Sequence, residues 1–146
     1  MLINTAVLGE IDVSPENIFN LPDGIYGFER ESDYALITKQ DEDITLMWFQ
    51  AVGADAPCFV VFNPFDIIEG YDPKLEDADL RRLGAASAGD LFFLVIAVVP
   101  EDISKITVNL KSPIVINRRE KKARQVILTN PDYPIRHFIF EEGQEK

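Results

Sequence analysis

Short apolar or alternating runs, separated by turn residues, fill most of the chain and predict β-strands. Gly9 lies between the first two runs and indicates a tight hairpin, and the Pro-Asp-Gly sequence at 22–24 indicates a turn after the third. The run LFFLVIAVV at 91–99 is the most hydrophobic, so we expect a central strand there. The predicted strands of this part of the chain cover residues 2–7, 10–13, 17–21, 34–39, 44–52, 58–63 and 91–99, with an acidic loop at 40–43.

The most distinctive residues lie in the C-terminal third, and they are residues that determine backbone geometry. Residues 107–117 read TVNLKSPIVIN, which predicts two short strands joined at a Pro kink. A hairpin to ARQVIL at 123–128 follows, and then a rigid tail bounded by prolines, YPIRH at 133–137. Because no side chain of this region forms a catalytic constellation, the chain is predicted to present a surface rather than to perform a reaction.

One segment is typical of a helix, residues 76–83. Acids crowd its start, Arg81 and Arg82 lie near its end, and Gly84 follows as a terminator. Leu80 and Leu83 form a stripe that must pack on a sheet, since two turns are too short to be stable alone. About ten short strands with one short helix indicate an all-β class, a single-domain antiparallel β-barrel-like fold. We assign residues 1–140 to this domain and 141–146 (EEGQEK) to a frayed acidic tail.

Composition places this fold in a soluble, cytoplasmic protein. The chain has 146 residues, 47% of them hydrophobic, and a single cysteine, Cys58, so it can bury a core but cannot form an internal disulfide. Its N-terminal residues lack the features of a signal peptide. Its longest apolar run, 91–99, is far shorter than the ~20 residues of a membrane-spanning helix, so no membrane contact is expected.

Charge argues against direct binding to nucleic acid. The net charge is −11, and the five basic residues and one acid of 118–124 (RREKKAR) carry +4, which leaves −15 elsewhere. An acidic surface repels phosphates and attracts basic partners. The basic run also lacks the aromatic residues that stack on bases, so a solvated hairpin tip explains it better than an RNA site. A nucleic-acid-binding barrel that uses this run is kept as an alternative.

Candidate enzymatic chemistry is sparse. A small β-barrel enzyme would have to use Cys58 and His137, the only cysteine and the only histidine. Cys58 opens an apolar strand, where cysteine usually acts as a small hydrophobic residue. Neither the acids at 41–43 nor Glu29, Glu31 and Asp33 have the spacing and glycine of a calcium loop. The sequence therefore predicts no catalytic residue, no metal, no cofactor and no small-molecule substrate, and the enzyme remains a second alternative.

Aromatic residues beside turns are the candidates for contact with a protein. Tyr26, Phe65 and Tyr71 lie in turn-rich segments instead of strand centres. Some are expected to fold back on the core, and those left exposed would anchor a partner.

Blocks across nearly the whole chain resemble the FliW family of flagellar assembly factors. The blocks are LPDGIYGFER (21–30), MWFQAV (47–52), FVVFNPF (59–65), TVNLKSPIVIN (107–117), RQVIL (124–128) and YPIRH (133–137). Each block alone is weakly specific, but their order, together with the length and acidity of the chain, makes the resemblance strong.

The resemblance implies a non-enzymatic cytoplasmic regulator with two protein partners, flagellin and the RNA-binding translational repressor CsrA. Flagellin occupies the factor until it is exported; the freed factor then binds CsrA and relieves repression of flagellin translation. The acidity found above fits this role, because a negative body docked on CsrA would repel RNA. The candidate partner-binding residues at the motif positions and loops are Phe28, Glu29, Phe65, Tyr71, Asn109, Pro113, Asn117, Tyr133 and Arg136.

Overall fold

The computed structural model of the chain describes residues 1–6, 8–41, 44–53 and 56–140. These residues form eleven β-strands, one α-helix and four short 3-10 helices. The α-helix, α1, is Asp77–Leu83, and the 3-10 helices are Pro15–Asn17, Pro64–Asp66, Ala88–Asp90 and Ile103–Lys105. The strands in chain order are β1 Leu2–Thr5, β2 Gly9–Asp12, β3 Ile18–Asn20, β4 Asp33–Asp41, β5 Ile44–Ala51, β6 Cys58–Phe62, β7 Phe92–Val98, β8 Thr107–Val108, β9 Ile114–Asn117, β10 Lys122–Gln125 and β11 His137–Phe138.

Seven strands close into a barrel, as the sequence predicts. The ring runs β7-β6-β5-β4-β3-β10-β9 and returns to β7, where Phe93 pairs with Val115. One closing contact departs from the predicted antiparallel pattern, because β10 pairs with β3 in parallel at Lys122 and Asn20. That contact is only one residue pair long, and the other pairings described in the ring are antiparallel.

Three further elements extend the barrel. Strands β8 and β9 both pair with β7, so the two strands of the Pro-kinked run follow one edge of the central strand. Strand β11 continues the sheet beyond β8, with His137 opposite Val108. The predicted first hairpin, β1–β2, forms a separate two-stranded sheet, and its Ile3 packs against Ile37 of β4 on the outside of the barrel.

Alternating apolar side chains fill the barrel interior. Tyr34 and Phe49 are stacked with ring centroids 4.9 Å apart, and both are fully buried. Burying aromatic groups of this size contributes much of the favourable free energy of folding in a small domain. A second cluster around Val95 and Leu110 joins the outer side of β7 to the segments around α1 and β11.

Several predicted boundaries shift in the structure. The strand predicted to end at residue 39 continues to Asp41, because Gln40 pairs with Thr45; Glu42 and Asp43 of the predicted acidic loop lie outside the described residues. Strand β10 ends at Gln125 instead of residue 128. Helix α1 begins at Asp77, after a reciprocal capping box between Glu76 and Asp79. The predicted tail 141–146 also lies outside the described residues.

Candidate functional site

A half-open groove of about 360 Å³ lies between the turn after β3 and the outer part of the sheet. Its lining is mostly apolar, and its rim carries large apolar side chains that remain exposed, Tyr26 at 57%, Val98 at 60% and Ile135 at 63%. Phe59 of β6 and Ile96 of β7 also line it. A concave apolar surface with exposed aromatic and aliphatic groups is the usual character of a protein-binding site.

One buried amide holds two walls of this groove together. Gln125 of β10 is 8% exposed, and its Oε1 accepts a hydrogen bond from the backbone N–H of Tyr26 at 2.9 Å. Its Nε2 donates to the backbone carbonyl of Ser112 at 3.2 Å. Because a buried polar group without a partner is costly, the glutamine fixes the turn at Tyr26 relative to the loop between β8 and β9.

The turn that carries Tyr26 depends on glycine. Gly24 has a φ of +66°, and a Cβ at that position would lie 2.7 Å from Glu29 Cα. Any other residue would therefore be strained and would also displace the backbone. The turn closes with a hydrogen bond of 2.7 Å from the N–H of Phe28 to the carbonyl of Ile25, and it presents Phe28 with 44% of its surface exposed.

Phe28 extends the apolar surface beyond the groove. Its ring meets that of Phe59 edge to face, with centroids 5.1 Å apart. Since Phe59 lines the groove, Phe28 and the groove share one wall. Glu29 and Glu31 line a shallow depression beside Phe28, and Glu29 Oε2 accepts a hydrogen bond from the N–H of Gly27 at 3.2 Å. Arg30 lines the same depression, so the acidic edge that borders the aromatic surface holds two carboxylates and one guanidinium.

Two further predicted residues lie at the groove. Asn109 is half-buried, and its Oδ1 accepts hydrogen bonds from the N–H groups of Lys111 at 3.1 Å and Ser112 at 3.0 Å. It shapes the loop between β8 and β9 by mimicking a backbone turn. Arg136 is exposed and lines the groove on the segment before β11. The structure therefore brings Phe28, Asn109 and Arg136 together around one surface.

The three other predicted aromatic residues form a separate cluster. Phe65 is 49% exposed and lies edge to face on Tyr71, with centroids 5.5 Å apart. The ring of Tyr71 contacts that of Tyr133 at a tilt of 41°, with centroids 4.8 Å apart, and the Tyr133 hydroxyl accepts a hydrogen bond of 2.7 Å from the N–H of Asp72. Tyr71 itself is only 5% exposed, and its hydroxyl donates to the carbonyl of Leu110 at 2.8 Å. Tyr71 is thus a core residue and not the exposed anchor the sequence suggested.

Two more of the predicted partner-binding residues are buried. Asn117 is 1% exposed; its Nδ2 donates to the carbonyl of Leu83 at 2.8 Å, and its Oδ1 accepts from the N–H groups of Arg119 and Glu120. Pro113 is also buried, and its carbonyl accepts from the N–H of Val126 at 3.0 Å. The prediction of partner contact needs correction for both side chains, because these residues position the hairpin and the loop before it.

Part of the basic run 118–124 contacts other residues of the chain. The guanidinium of Arg118 lies 4.5 Å from the centroid of Phe92. Arg124 forms an ion pair with Asp23 and lies 3.7 Å from Asp79. Two of the five cations therefore have partners within the chain, which argues against the hypothesis that this run binds RNA.

The structure does not bring together Cys58 and His137, the two residues that the alternative enzyme would use. Cys58 lies on β6 and His137 on β11, and β7 and β8 separate these strands in the sheet. Three strand spacings correspond to roughly 14 Å along the sheet, too far for proton transfer between the two side chains. Burial also raises the pKa of the Cys58 thiol, which disfavours the nucleophilic thiolate. In the described residues, no three His, Cys, Asp or Glu side chains are grouped to hold a metal ion.

Sequence reasoning missed several groove residues for a physical reason. Val98 belongs to the run predicted as a central strand and Ile135 to the Pro-bounded tail, and the exposure of both depends on where the sheet ends. One signal was available for Gln125, which lies two residues after Ala123 and so shares its face of the strand, since an amide at a buried position usually bonds to backbone groups. Among the residues that the structure describes, none of the helical stretches is long and apolar enough to cross a membrane.

Comparison with known proteins gives a consistent match over the whole fold. The sequence model of the family described as "FliW protein" matches residues 2–139. The flagellar assembly factor FliW of Ruminiclostridium cellulolyticum is 38% identical over 146 residues, which cover 100% of this chain and 99% of that protein. The flagellar assembly factor FliW of Alkaliphilus metalliredigens is 37% identical over 145 residues, 99% of this chain and 90% of that protein.

A solved structure agrees with these sequence matches. The crystal structure of a flagellar assembly factor FliW superposes with a TM-score of 0.87 at 33% sequence identity. The superposition covers 98% of this chain and 99% of the other. The barrel, its added strands and the short helix are therefore shared between the two chains.

Proposed function

The chain belongs to the FliW protein family of flagellar assembly factors, and from that premise we propose that it binds flagellin and the translational repressor CsrA in turn. The observation that carries the proposal is the apolar groove with its exposed rim of Tyr26, Val98 and Ile135. Rigid walls around exposed apolar groups suit a site that loses little conformational entropy when it binds a protein.

Apolar anchors and acidic residues have separate roles in this proposal. The rings of Phe28 and Tyr26 leave water when a partner docks, and such buried aromatic groups usually carry most of the binding free energy. Glu29 and Glu31 stay at the edge, where charges mainly speed the encounter with a basic partner. CsrA, as an RNA-binding protein, supplies basic surface for that encounter.

One surface shared by two partners would produce the switch. While flagellin occupies the groove, CsrA is excluded; when flagellin is exported, the groove becomes free and takes up CsrA. The two partners then compete for the same surface, and this competition needs no conformational change in the barrel.

The net charge explains how docking on CsrA would relieve repression. The chain carries −11 overall, so a complex places a strongly negative body next to the RNA-binding surface. Phosphates are repelled from that surface even where the factor does not cover it. Flagellin translation resumes as the leader RNA is released.

The proposed role is regulatory, chaperone-like and non-enzymatic, and we place it in the cytoplasm, where flagellin is synthesised and CsrA binds RNA. No cofactor, metal or small-molecule substrate is required by it. The separation of Cys58 from His137 supports this assignment over the alternative enzyme.

A competition experiment tests the proposal. Immobilised protein is loaded with CsrA, and flagellin is then titrated over it; displacement of CsrA in proportion to bound flagellin is the expected result. In parallel, the protein is added to CsrA on flagellin leader RNA, and release of free RNA is followed by mobility shift. Simultaneous binding of both partners would refute a shared groove. Binding of neither partner, with a direct shift of the RNA, would favour the nucleic-acid-binding barrel.

A further inference from the structure

The fold brings two basic segments together that are far apart in sequence. The C-terminal end of α1 carries Arg81 and Arg82, and the hairpin between β9 and β10 carries the run 118–124. These two segments hold seven of the 14 Lys and Arg residues of the chain. In a protein of net charge −11, such a concentration of positive charge needs an explanation.

Two direct contacts hold the segments side by side. The Nδ2 of Asn117 donates to the carbonyl of Leu83 at 2.8 Å, which joins the start of the hairpin tip to the last residue of α1. A Cβ placed on Gly84 would lie 3.3 Å from Cγ of Glu120, so the tip lies directly against the helix end. Gly84 has a φ of +68°, and its N–H bonds to the carbonyl of Arg81 at 3.1 Å, which fixes the end of the helix.

Most of these cations have no carboxylate partner among the residues that the structure describes. Arg81, Arg82, Arg119, Lys121 and Lys122 are exposed, and none of them forms an ion pair with a described carboxylate. Lys121 is held at the tip with a φ of +56°, a left-handed conformation that fixes the tight turn of the hairpin. The basic surface, defined by these five residues, is therefore exposed on a fixed backbone and carries five positive charges beside the one negative charge of Glu120.

We propose that this basic surface is a second docking site, and that its ligand is an acidic segment of a protein partner. The guanidinium groups of Arg81, Arg82 and Arg119 suit carboxylates, with which they form paired hydrogen bonds. None of the five cations lines the apolar groove, although Arg82 lines a neighbouring depression with Tyr26 and Gln125. The groove and the basic surface are therefore tested by separate variants.

The surroundings favour an acidic peptide over RNA. A peptide of a few residues fits within the basic surface and feels its local field, since charges are screened over about 8 Å at physiological salt. A longer polyanion extends past the surface onto a body that is strongly negative. Arg118 covers the rings of Phe19 and Phe92, so neither is free to stack on a base. Tyr26 is one exposed ring beside Arg82, whereas sites for single-stranded RNA stack successive bases on several rings.

The test uses a fluorescently labelled, glutamate-rich short peptide and oligoadenylate RNA of the same length. Binding of each to the full chain is measured by fluorescence anisotropy at low and at physiological salt. We expect the peptide to bind in a salt-sensitive manner and the double variant Arg82→Gln/Arg119→Gln to bind it about fivefold more weakly, the loss expected for two exposed charge pairs. The matched control, Lys39→Gln/Lys105→Gln, removes the same charge from exposed positions elsewhere and should bind as the wild type does.

Three outcomes would overturn the proposal: tighter binding of the RNA than of the peptide, binding of neither probe, or equal losses in the two double variants. The Lys and Arg variants replace exposed side chains that form no ion pair within the described residues, and circular dichroism verifies their folding. Phe28→Ala serves as a further reference, since damage to the groove should leave binding of the acidic peptide unchanged.

Discussion

The side-chain amide of Asn117 donates to the backbone carbonyl of Leu83 at 2.8 Å, in a site where Asn117 is 1% exposed. The same side chain accepts from the N–H groups of Arg119 and Glu120 through its Oδ1. One residue thus ends strand β9, shapes the hairpin tip and fastens α1 to the barrel. Its conformational role explains why a polar residue is tolerated in the interior.

We therefore predict that Asn117→Ala lowers the free energy of unfolding by about 2–3 kcal/mol, because one buried carbonyl and two partly buried N–H groups lose their partner. Urea denaturation at neutral pH measures the change. Asn20→Ala is the matched control, since the Asn20 amide makes an exposed hydrogen bond to Asp33 and its loss should cost below about 1 kcal/mol. Equal costs for the two variants would show that the contact with Leu83 contributes nothing.

Two buried tyrosines predict an alkaline limit to stability. Burial raises the pKa of Tyr34 to about 12 and raises that of Tyr71 as well. An unfolded tyrosine ionises near 10, so above that pH the unfolded chain releases protons that the folded chain retains. Stability is therefore fully present below pH 10 and should fall as the pH rises towards 12. Urea midpoints measured across this range should show a shallower decline for Tyr34→Phe than for the wild type.

The same two tyrosines differ at neutral pH. The Tyr34 hydroxyl has no hydrogen-bond partner among the described residues, so Tyr34→Phe should change stability by less than about 1 kcal/mol. Tyr71→Phe leaves the carbonyl of Leu110 without its donor at 2.8 Å and should cost about 1–2 kcal/mol. If Tyr34→Phe proves the more destabilising, its hydroxyl has an important partner and this assignment is wrong.

The sequence predicted the barrel because its signals are local. Each local signal specifies one short element: the alternating runs, the Pro-Asp-Gly turn and the Pro kink before Ile114. A chain with eleven short strands and one α-helix is expected to close its sheet into a barrel. The parallel contact between Lys122 and Asn20 could not be predicted, because it depends on how the barrel ends meet.

The candidate site was less accessible to prediction than the fold. Tyr71 and Asn117 were predicted to contact a partner, but their side chains are buried. They donate hydrogen bonds to the carbonyls of Leu110 and Leu83. Such contacts join positions 39 and 34 residues apart, beyond the reach of local pattern. By contrast, Phe28 follows a glycine turn, and its exposure was foreseeable from that local geometry.

Phe28 should be a binding anchor. Phe28→Ala is predicted to weaken binding to a protein partner by about 2 kcal/mol, mainly through faster dissociation, because it removes an exposed ring that packs edge to face on Phe59. Surface-immobilised kinetics with flagellin and with CsrA measure the effect. Ile127→Ala, a comparably exposed apolar residue outside the groove lining, is the control and should leave dissociation unchanged. A slower association with unaltered dissociation would mean that Phe28 is not buried in the complex.

Cys58 and His137 should be dispensable for partner binding. They lie on strands that β7 and β8 separate, so neither can activate the other. Cys58→Ala is expected to lose on the order of 1 kcal/mol of stability from reduced packing and to keep its affinity for flagellin, and His137→Ala should do the same with a smaller loss. Loss of binding in a folded Cys58→Ala protein would point to thiol chemistry and would reopen the enzyme alternative.

The acidic edge beside Phe28 should control the rate of association. Glu29 and Glu31 are solvent-accessible carboxylates next to the aromatic surface, and rim charges act on the encounter more than on the docked complex. Glu29→Gln/Glu31→Gln should therefore slow association with CsrA by about threefold at low salt and have little effect at high salt, where the Debye length is roughly 3 Å. Dissociation should be nearly unchanged. The control, Glu10→Gln/Glu16→Gln, removes the same charge from exposed residues on β2 and the following 3-10 helix. If both variants slow association equally, the net charge of the whole chain steers the encounter, and this edge has no special role.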